Sequence, residues 1–193
     1  CLANLGEALY TQGKPEEALK CFEEGIPLAA KDERTLAILL HDRAVVCRDQ
    51  ERWDDAEADL RRAAGINQRL KRLSEYGANY FVLGTMAAKR GDLEAATDLV
   101  RTALQADRTA ENSAGIAADL EALGALSRRQ GRPEEAFALY RRAFDVFVSL
   151  DGAPDALRCA SALAALAGEL GRPEDERRYS DYSRRIEAAE TSR

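Results

Sequence analysis

Cysteine and histidine are scarce in this sequence, and their spacing excludes the common metal and redox sites. The chain of 193 residues has one histidine, His41, and four cysteines, at positions 1, 21, 47 and 159. No two cysteines form a C-x-x-C pair, the spacing of zinc and thiol–disulfide motifs. We therefore predict no metal site, and free thiols in a reducing compartment, which favours the cytoplasm.

Motifs for catalysis, cofactors, nucleic acid and membranes are lacking as well. The sequence contains no H-E-x-x-H motif, no glycine-rich phosphate loop and no Ser/His/Asp set. The net charge of −6 excludes a basic footprint over the whole chain. No apolar run approaches the roughly 18 residues of a membrane-spanning helix. We predict no enzyme activity, no catalytic residue, no cofactor, no nucleic-acid partner and no membrane partner.

Helix-forming residues dominate what is present. Aromatic residues make up only 6% of the chain and prolines number 5, whereas hydrophobic residues reach 46% and charged residues 32%. Alanine, leucine, arginine and glutamate, which are abundant here, have the highest helix propensities. The composition therefore predicts an all-α protein with a buried core and a charged exterior, and the Ala- and Arg-rich content favours a bacterial source.

One short segment recurs along the chain. Gly13, Gly91, Gly131 and Gly171 each precede an acidic stretch, and Glu51 occupies the same place, so that successive spacings are 38, 40, 40 and 40 residues. Glycine ends a helix because the next residue often needs a positive φ. A proline two residues later opens the following helix in three of the segments. Each segment therefore predicts a tight turn between two antiparallel helices.

The flanks of each turn carry apolar residues at helical spacing. Before the turn, small residues recur where a neighbouring helix would approach: they are Gly6, Ala44, Gly84, Gly124 and Ala164. After the turn, a small residue, a large one and a second small one recur at intervals of four and three: Ala18/Phe22/Gly25, Ala56/Leu60/Ala63, Ala96/Val100/Ala103 and Ala136/Tyr140/Ala143. Spacings of three and four place these residues on one helix face.

This pattern resembles the tetratricopeptide repeat, with its Leu-Gly step, glycine turn and later Ala–aromatic–Ala series. The resemblance covers residues 2 to about 185. The period of about 40 residues exceeds the family's 34 and is similar to the longer repeats of kinesin light chains and of bacterial regulators of the maltose-activator type. The resemblance implies a right-handed α-solenoid of about five antiparallel helix pairs.

The repeat divides the chain into one array of five units. The predicted units are residues 2–32, 33–73, 74–109, 110–151 and 152–189. The last helix, 173–189, is polar and is interpreted as a C-terminal cap. Pro27 is expected to kink or shorten the first unit's second helix. Because the N-terminal end is apolar and uncapped, we predict a fragment of a longer chain; a lipidated Cys1 is the alternative, disfavoured because a helix follows at once.

The resemblance also implies a concave groove, lined by the first helix of each pair, that binds a peptide or a partner helix. The candidate groove residues, taken over by register, are Tyr10, His41, Arg48, Phe81, Lys89, Glu121, Arg128 and Arg129. The basic members would form a strip for an acidic peptide, and the aromatic ones would be apolar anchors. The alternative is that these are ordinary solvated charges, with Phe81 partly in the core.

Three functions follow from these observations. The first is a non-catalytic protein–protein interaction scaffold, and the second is a ligand-sensing segment of a larger bacterial signalling or transcription regulator. The third is self-association through the uncapped N-terminal end. A catalytic role for His41 is disfavoured because Asp42 is expected to point to another side of the helix. Arginines on the second helices are interpreted as a solvated convex face because acids such as Asp59 lie among them.

Overall fold

The computed structural model describes residues 2–190, and this part of the chain consists of ten α-helices without a strand. Cys1 lies outside the described residues. In chain order the helices are α1 (Leu2–Thr11), α2 (Pro15–Leu28), α3 (Glu33–Asp49), α4 (Trp53–Arg69), α5 (Leu73–Lys89), α6 (Leu93–Thr109), α7 (Ser113–Arg129), α8 (Pro133–Ser149), α9 (Ala153–Glu169) and α10 (Pro173–Glu190). None of the described helices is both long and apolar enough to cross a membrane.

The same turn recurs at eight of the nine junctions between the described helices, the exception being the connection from α2 to α3. Its central residue has a positive φ in each case: Gly13, Glu51, Lys71, Gly91, Glu111, Gly131, Asp151 and Gly171. The following amide closes the turn on the carbonyl five residues back, as Asp92 N does on Ala87 O at 3.0 Å. The sequence predicted the turns within pairs from their recurring segment. The turns at Lys71, Glu111 and Asp151 carry no such segment, but they lie within about two residues of the predicted ends of the units.

Successive pairs stack so that the odd-numbered helices lie on the inside of the curve. In this stack α1 contacts α3, α3 contacts α5, and α5 contacts α7. The successive even-numbered helices make at most marginal contact over the described residues. Helices that pack more closely form the concave side of a solenoid. The architecture is therefore the predicted right-handed α-solenoid, with α1, α3, α5, α7 and α9 lining its inner face.

Small residues set the distance between the two helices of a pair, as the sequence predicted. A Cβ atom added to Gly84 of α5 would lie 2.6 Å from Cγ2 of Val100 and 3.3 Å from the backbone oxygen of Ala96 in α6. Gly6 and Gly124 lie equally close to the ring of a residue in the partner helix. The large residue of each second helix therefore fills the space that the missing side chain leaves.

One polar pair replaces the apolar contact between α3 and α4. Arg43 stands where other units have leucine, and its guanidinium donates two hydrogen bonds to Asp59, at 2.7 and 2.8 Å. The Asp59 side chain is only 9% exposed. The expectation that Asp59 belongs to a solvated convex face was therefore wrong, because the carboxylate is buried by its fork-shaped pairing with Arg43.

Both ends of the array depart from the regular unit. Helix α2 contains Pro27 and ends at Leu28 after 14 residues, whereas the complete helices α3 to α9 have 17. The predicted shortening by Pro27 is thus confirmed. At the other end, the polar helix α10 is attached by Tyr179, which is 1% exposed and packs edge-on against Phe137 and Phe144 of α8.

The close approach at Gly84 predicts an asymmetry between two glycine substitutions. Gly84→Ala should lower the free energy of unfolding by about 1–3 kcal/mol because the methyl group overpacks against Val100. Gly65→Ala in α4 has no atom within 4 Å of the new methyl group. It should therefore raise stability by up to about 1 kcal/mol through helix propensity. Urea unfolding of both variants tests this, and equal effects would contradict the packing argument.

Candidate functional site

All eight candidate groove residues lie on the inner helices. Tyr10 belongs to α1, the residues His41 and Arg48 to α3, Phe81 and Lys89 to α5, and the remaining three to α7. Lys89, Arg128 and Arg129 are exposed, whereas Phe81 and Arg48 are half-buried. The structure connects most of these side chains to a neighbouring inner helix, so the groove surface is built from contacts between repeats.

A cluster joins the C-terminal ends of α1 and α3. The Tyr10 hydroxyl donates a hydrogen bond to Asp49, and Arg48 Nε donates to Asp49 Oδ1 at 2.7 Å. The bond from Arg48 lowers the pKa of Asp49, with smaller contributions from Tyr10 and from the charge of Lys89. The positive charge of Arg48 is therefore already balanced within the protein.

Further contacts join α5, α7 and α9. Arg128 forms an ion pair with Glu169, and Arg158 forms a forked pair with Glu121 at 2.9 and 3.1 Å. Arg129 Nη1 donates to the carbonyl oxygen of Ala88 at 3.0 Å. Such exposed pairs contribute little to stability, about 0–1 kcal/mol each. Their main consequence is that Arg128 and Glu121 have partners before any ligand arrives.

Only part of the predicted basic strip is therefore available to a ligand. Lys89 and Arg129 lie at the adjacent ends of α5 and α7, and both are exposed. Neither has a carboxylate within ion-pair distance in residues 2–190. Arg48 and Arg128 are paired. The free positive charge of the groove is thus concentrated between the third and fourth helix pairs.

His41 takes part in a polar network rather than facing open solvent. Its Nδ1 accepts a hydrogen bond from Asn79 Nδ2 at 2.8 Å, while Asn79 Oδ1 accepts one from Asn67 Nδ2 at 3.0 Å. These roles assign the imidazole proton to Nε2. Burial lowers the pKa of His41, and the charge of Arg48 lowers it further. The side chain is therefore neutral at neutral pH.

A recess of about 150 Å³ lies beside this network, between α3 and α5. Ala37, Ile38 and Ala78 form apolar walls, and both His41 and Asp42 line it. Asp42 was expected to point to another side of α3 than His41, and the recess is wide enough to be lined by both of these adjacent positions. Burial, together with the charge of Glu7, raises the pKa of Asp42 to about 7.

One repeat after the amide pair Asn67 and Asn79, the equivalent positions carry a pair of carboxyl groups. Asp107 and Asp119 lie 40 residues after Asn67 and Asn79, and all four side chains are buried. Asn112 Nδ2 donates to Asp107 Oδ1 at 2.8 Å, whereas Asp119 Oδ2 has no hydrogen-bond partner in the described structure. Burial, then the charge and hydrogen bond of Asp107, raises the pKa of Asp119 to about 8.

The amide and carboxyl pairs were missed at the level of the sequence. In the sequence these polar residues recur at the repeat period of 40. One position of the repeat holds Asn67, Asp107 and then Phe147, and a second holds Asn79, Asp119 and then Cys159. Polar residues at positions that face a core are informative because burying them requires partners. The apolar periodicity by itself does not reveal them.

Comparison with known proteins gives a consistent result. The sequence matches the tetratricopeptide repeat family over residues 35–109 and 116–181, and a second form of the same repeat over residues 1–31. Among curated protein sequences, none is similar enough to count as a relative.

Several solved structures share the fold at low sequence identity. BtubC (BKLC) from P. vanneervenii is 18% identical with a TM-score of 0.86, over 100% of this chain and 80% of that one. The nearly identical TPR-like repeats of a Podosopora anserina kinesin light chain are 17% identical, with a TM-score of 0.74 over 97% and 94%. A Rap protein complexed with competence and sporulation factor is 17% identical, with a TM-score of 0.79. The match covers 97% of this chain but 53% of the Rap protein.

The carboxyl pair predicts a pH dependence that one substitution reduces. An unfolded aspartate has a pKa of about 3.9, so between about pH 4 and pH 8 the folded state holds the extra proton of Asp119. The free energy of unfolding should therefore fall as pH rises through this range, by up to about 1.4 kcal/mol per unit. Asp119→Asn should make that slope shallower and stabilise the protein at pH 8, while the raised pKa values of Asp42 and Asp107 keep part of the slope.

The matched control is Asn79→Asp, which places the same acid in the preceding repeat and should add a comparable slope. Urea unfolding at pH 5, 6.5 and 8 measures both differences from the wild type. An unchanged slope in Asp119→Asn would contradict the assignment of the proton to this pair.

Proposed function

Because the chain belongs to the tetratricopeptide repeat family, we propose that it is a non-catalytic scaffold that binds a peptide or a helix of a partner protein along its inner face. The tetratricopeptide fold is, in general, that of a protein–protein interaction scaffold. The proposal assigns the binding surface to the odd-numbered helices, where the candidate residues project and where neighbouring repeats meet. It assigns no reaction to any residue of the chain.

The observation that supports this proposal is the exposure and the lack of ion pairs of the side chains on α5 and α7. Phe81 is half-buried, and Lys89 and Arg129 are exposed without a carboxylate partner in the described part of the chain. Phe81 precedes Lys89 by about two turns of α5, and an aromatic side chain with unpaired cations farther along the same helix is the composition expected of an interface core with a charged rim. We infer that the segment of the ligand that passes α5 and α7 is acidic.

A second candidate function is supported by one structural likeness. The Rap protein was solved with a peptide factor, and this chain spans about half of that protein's length. By analogy, this chain would be the ligand-sensing segment of a larger bacterial regulator, with the same groove occupied by a signalling peptide. The two candidates differ in the ligand, since a scaffold retains another protein whereas a sensor retains a short peptide.

We expect charge reversal of the unpaired cations to remove the partner. In affinity capture from the source cells, Lys89→Glu/Arg129→Glu should retain at least tenfold less partner than the wild type, because two attractive charges become repulsive. The matched control is Arg101→Glu/Arg141→Glu, the same change on the outer helices α6 and α8. Mass spectrometry identifies proteins and peptides in the eluate, and titration calorimetry with the identified partner gives the change in Kd.

The outcomes separate the alternatives. Loss of the partner with Lys89→Glu/Arg129→Glu alone supports binding in the groove. A protein in the eluate then indicates a scaffold, and a short peptide indicates a sensor. Loss with the outer variant alone would overturn the assignment of the inner face. A mass that rises with concentration in sedimentation, without any captured partner, would favour self-association instead.

A further inference from the structure

The recess between α3 and α5 contains polar atoms that the protein leaves without partners. Asn67 lines the recess and is 2% exposed, and its Oδ1 has no hydrogen-bond partner within residues 2–190. Arg72 Nη1, at the start of α5, is likewise buried and unpartnered. A buried polar atom without a hydrogen bond costs about 1–3 kcal/mol. The free oxygen of Asn67 is an acceptor that a ligand with N–H donors would complete, whereas Arg72 Nη1 is itself a donor and would stay unpartnered beside such a ligand.

The charges around the recess sum to a negative value. Arg72 is neutralised by its ion pair with Glu75, and His41 is neutral. Asp42 has neither an ion pair nor a hydrogen bond to any described residue, and it lies near the charge of Glu7. Removal from water and the proximity of Glu7 both disfavour its ionised form, so the carboxylate lacks a cation that would balance it.

The geometry points to this recess as a binding site for the guanidinium side chain of an arginine in the groove ligand. Ala37, Ile38 and Ala78 would cover the aliphatic stem, and the planar head would donate two hydrogen bonds to the Asp42 carboxylate. A remaining N–H would reach the free oxygen of Asn67. An apolar cavity of about this size is known to accept a benzene-sized group, so the recess of about 150 Å³ has the required volume.

Other side chains fit the recess less well. A carboxylate would be repelled by Asp42 and would leave Asn67 Oδ1 without a donor. A lysine would satisfy Asp42, but it has no flat fork of donors to reach Asn67 at the same time. An aliphatic side chain would fill the walls and leave the carboxylate unbalanced. Arginine is the side chain that matches the walls, the charge and the free acceptor together.

This inference rests on the proposed function, since it names one residue of the ligand that the groove would hold. It also gives that ligand a direction. The arginine would lie at Asp42, in the middle of α3, while the acidic segment would lie at Lys89 and Arg129, at the C-terminal ends of α5 and α7. Two sites of opposite charge fix the polarity of a bound peptide.

The test uses small probes and the purified chain, so it requires no identified partner. n-Butylguanidinium should produce saturable shifts in the methyl resonances of Ala37, Ile38 and Ala78 in a ¹³C-methyl-labelled sample. n-Butylurea, which has the same shape without the charge, should bind at least fivefold more weakly. Asp42→Asn should reduce the affinity for n-butylguanidinium at least fivefold, whereas Asp98→Asn, the same change on the outer helix α6, should leave it unchanged.

Each outcome decides the proposal. Equal affinity of n-butylurea would show an apolar recess without charge selection and would overturn the inference, as would full binding by Asp42→Asn or shifts confined to other methyl groups. If Asp42→Asn does not fold, the comparison of the two probes on the wild type still decides. Suppose that the recess fails to select n-butylguanidinium while Lys89→Glu/Arg129→Glu still loses the partner. In that case the groove would remain the proposed binding surface, so the two proposals can be tested separately.

Discussion

Every helix of the array has an apolar face that only its neighbours can cover, and the fold depends on how closely those neighbours approach. In a solenoid each unit contacts only the next, so a single contact geometry must recur along the chain. Gly6, Gly84 and Gly124 supply it by leaving room for Phe22, Val100 and Tyr140. From Glu51 to Gly171 the turns follow one another every 20 residues, which keeps these contacts in register from one pair to the next.

Polar residues within this core distinguish one repeat from another. Arg43 and Asp59 pair with each other across α3 and α4, and the amide and carboxyl pairs occupy equivalent positions in successive repeats. Buried polar pairs are weak sources of stability because desolvation offsets their attraction. We expect them to make otherwise similar interfaces unlike, so that each helix prefers its own neighbour. The pair Asp107 and Asp119 also makes one interface sensitive to pH.

The inner face uses most of its charges for contacts between repeats. Tyr10 and Arg48 bind Asp49, and Arg158 binds Glu121, so a ligand that needed those groups would first have to displace a partner within the protein. Binding specificity therefore depends on the few charges that remain unpaired. They include the cations Lys89 and Arg129 at the C-terminal ends of α5 and α7, and Asp42 beside the recess.

The family, the all-α class and the positions of the turns within pairs follow from the sequence alone, because glycine, proline and small residues recur at a fixed period and act locally. The sequence also placed the candidate residues on the inner helices, since register alone decides which helix face they share. Which charged side chains lack an ion-pair partner depends on the tertiary structure. The partners of Arg128 and Arg158 lie about 40 residues away, and the recess at Asp42 combines side chains from α3, α4 and α5. Distances between residues so far apart in the chain follow from how the helices stack, which no local pattern specifies.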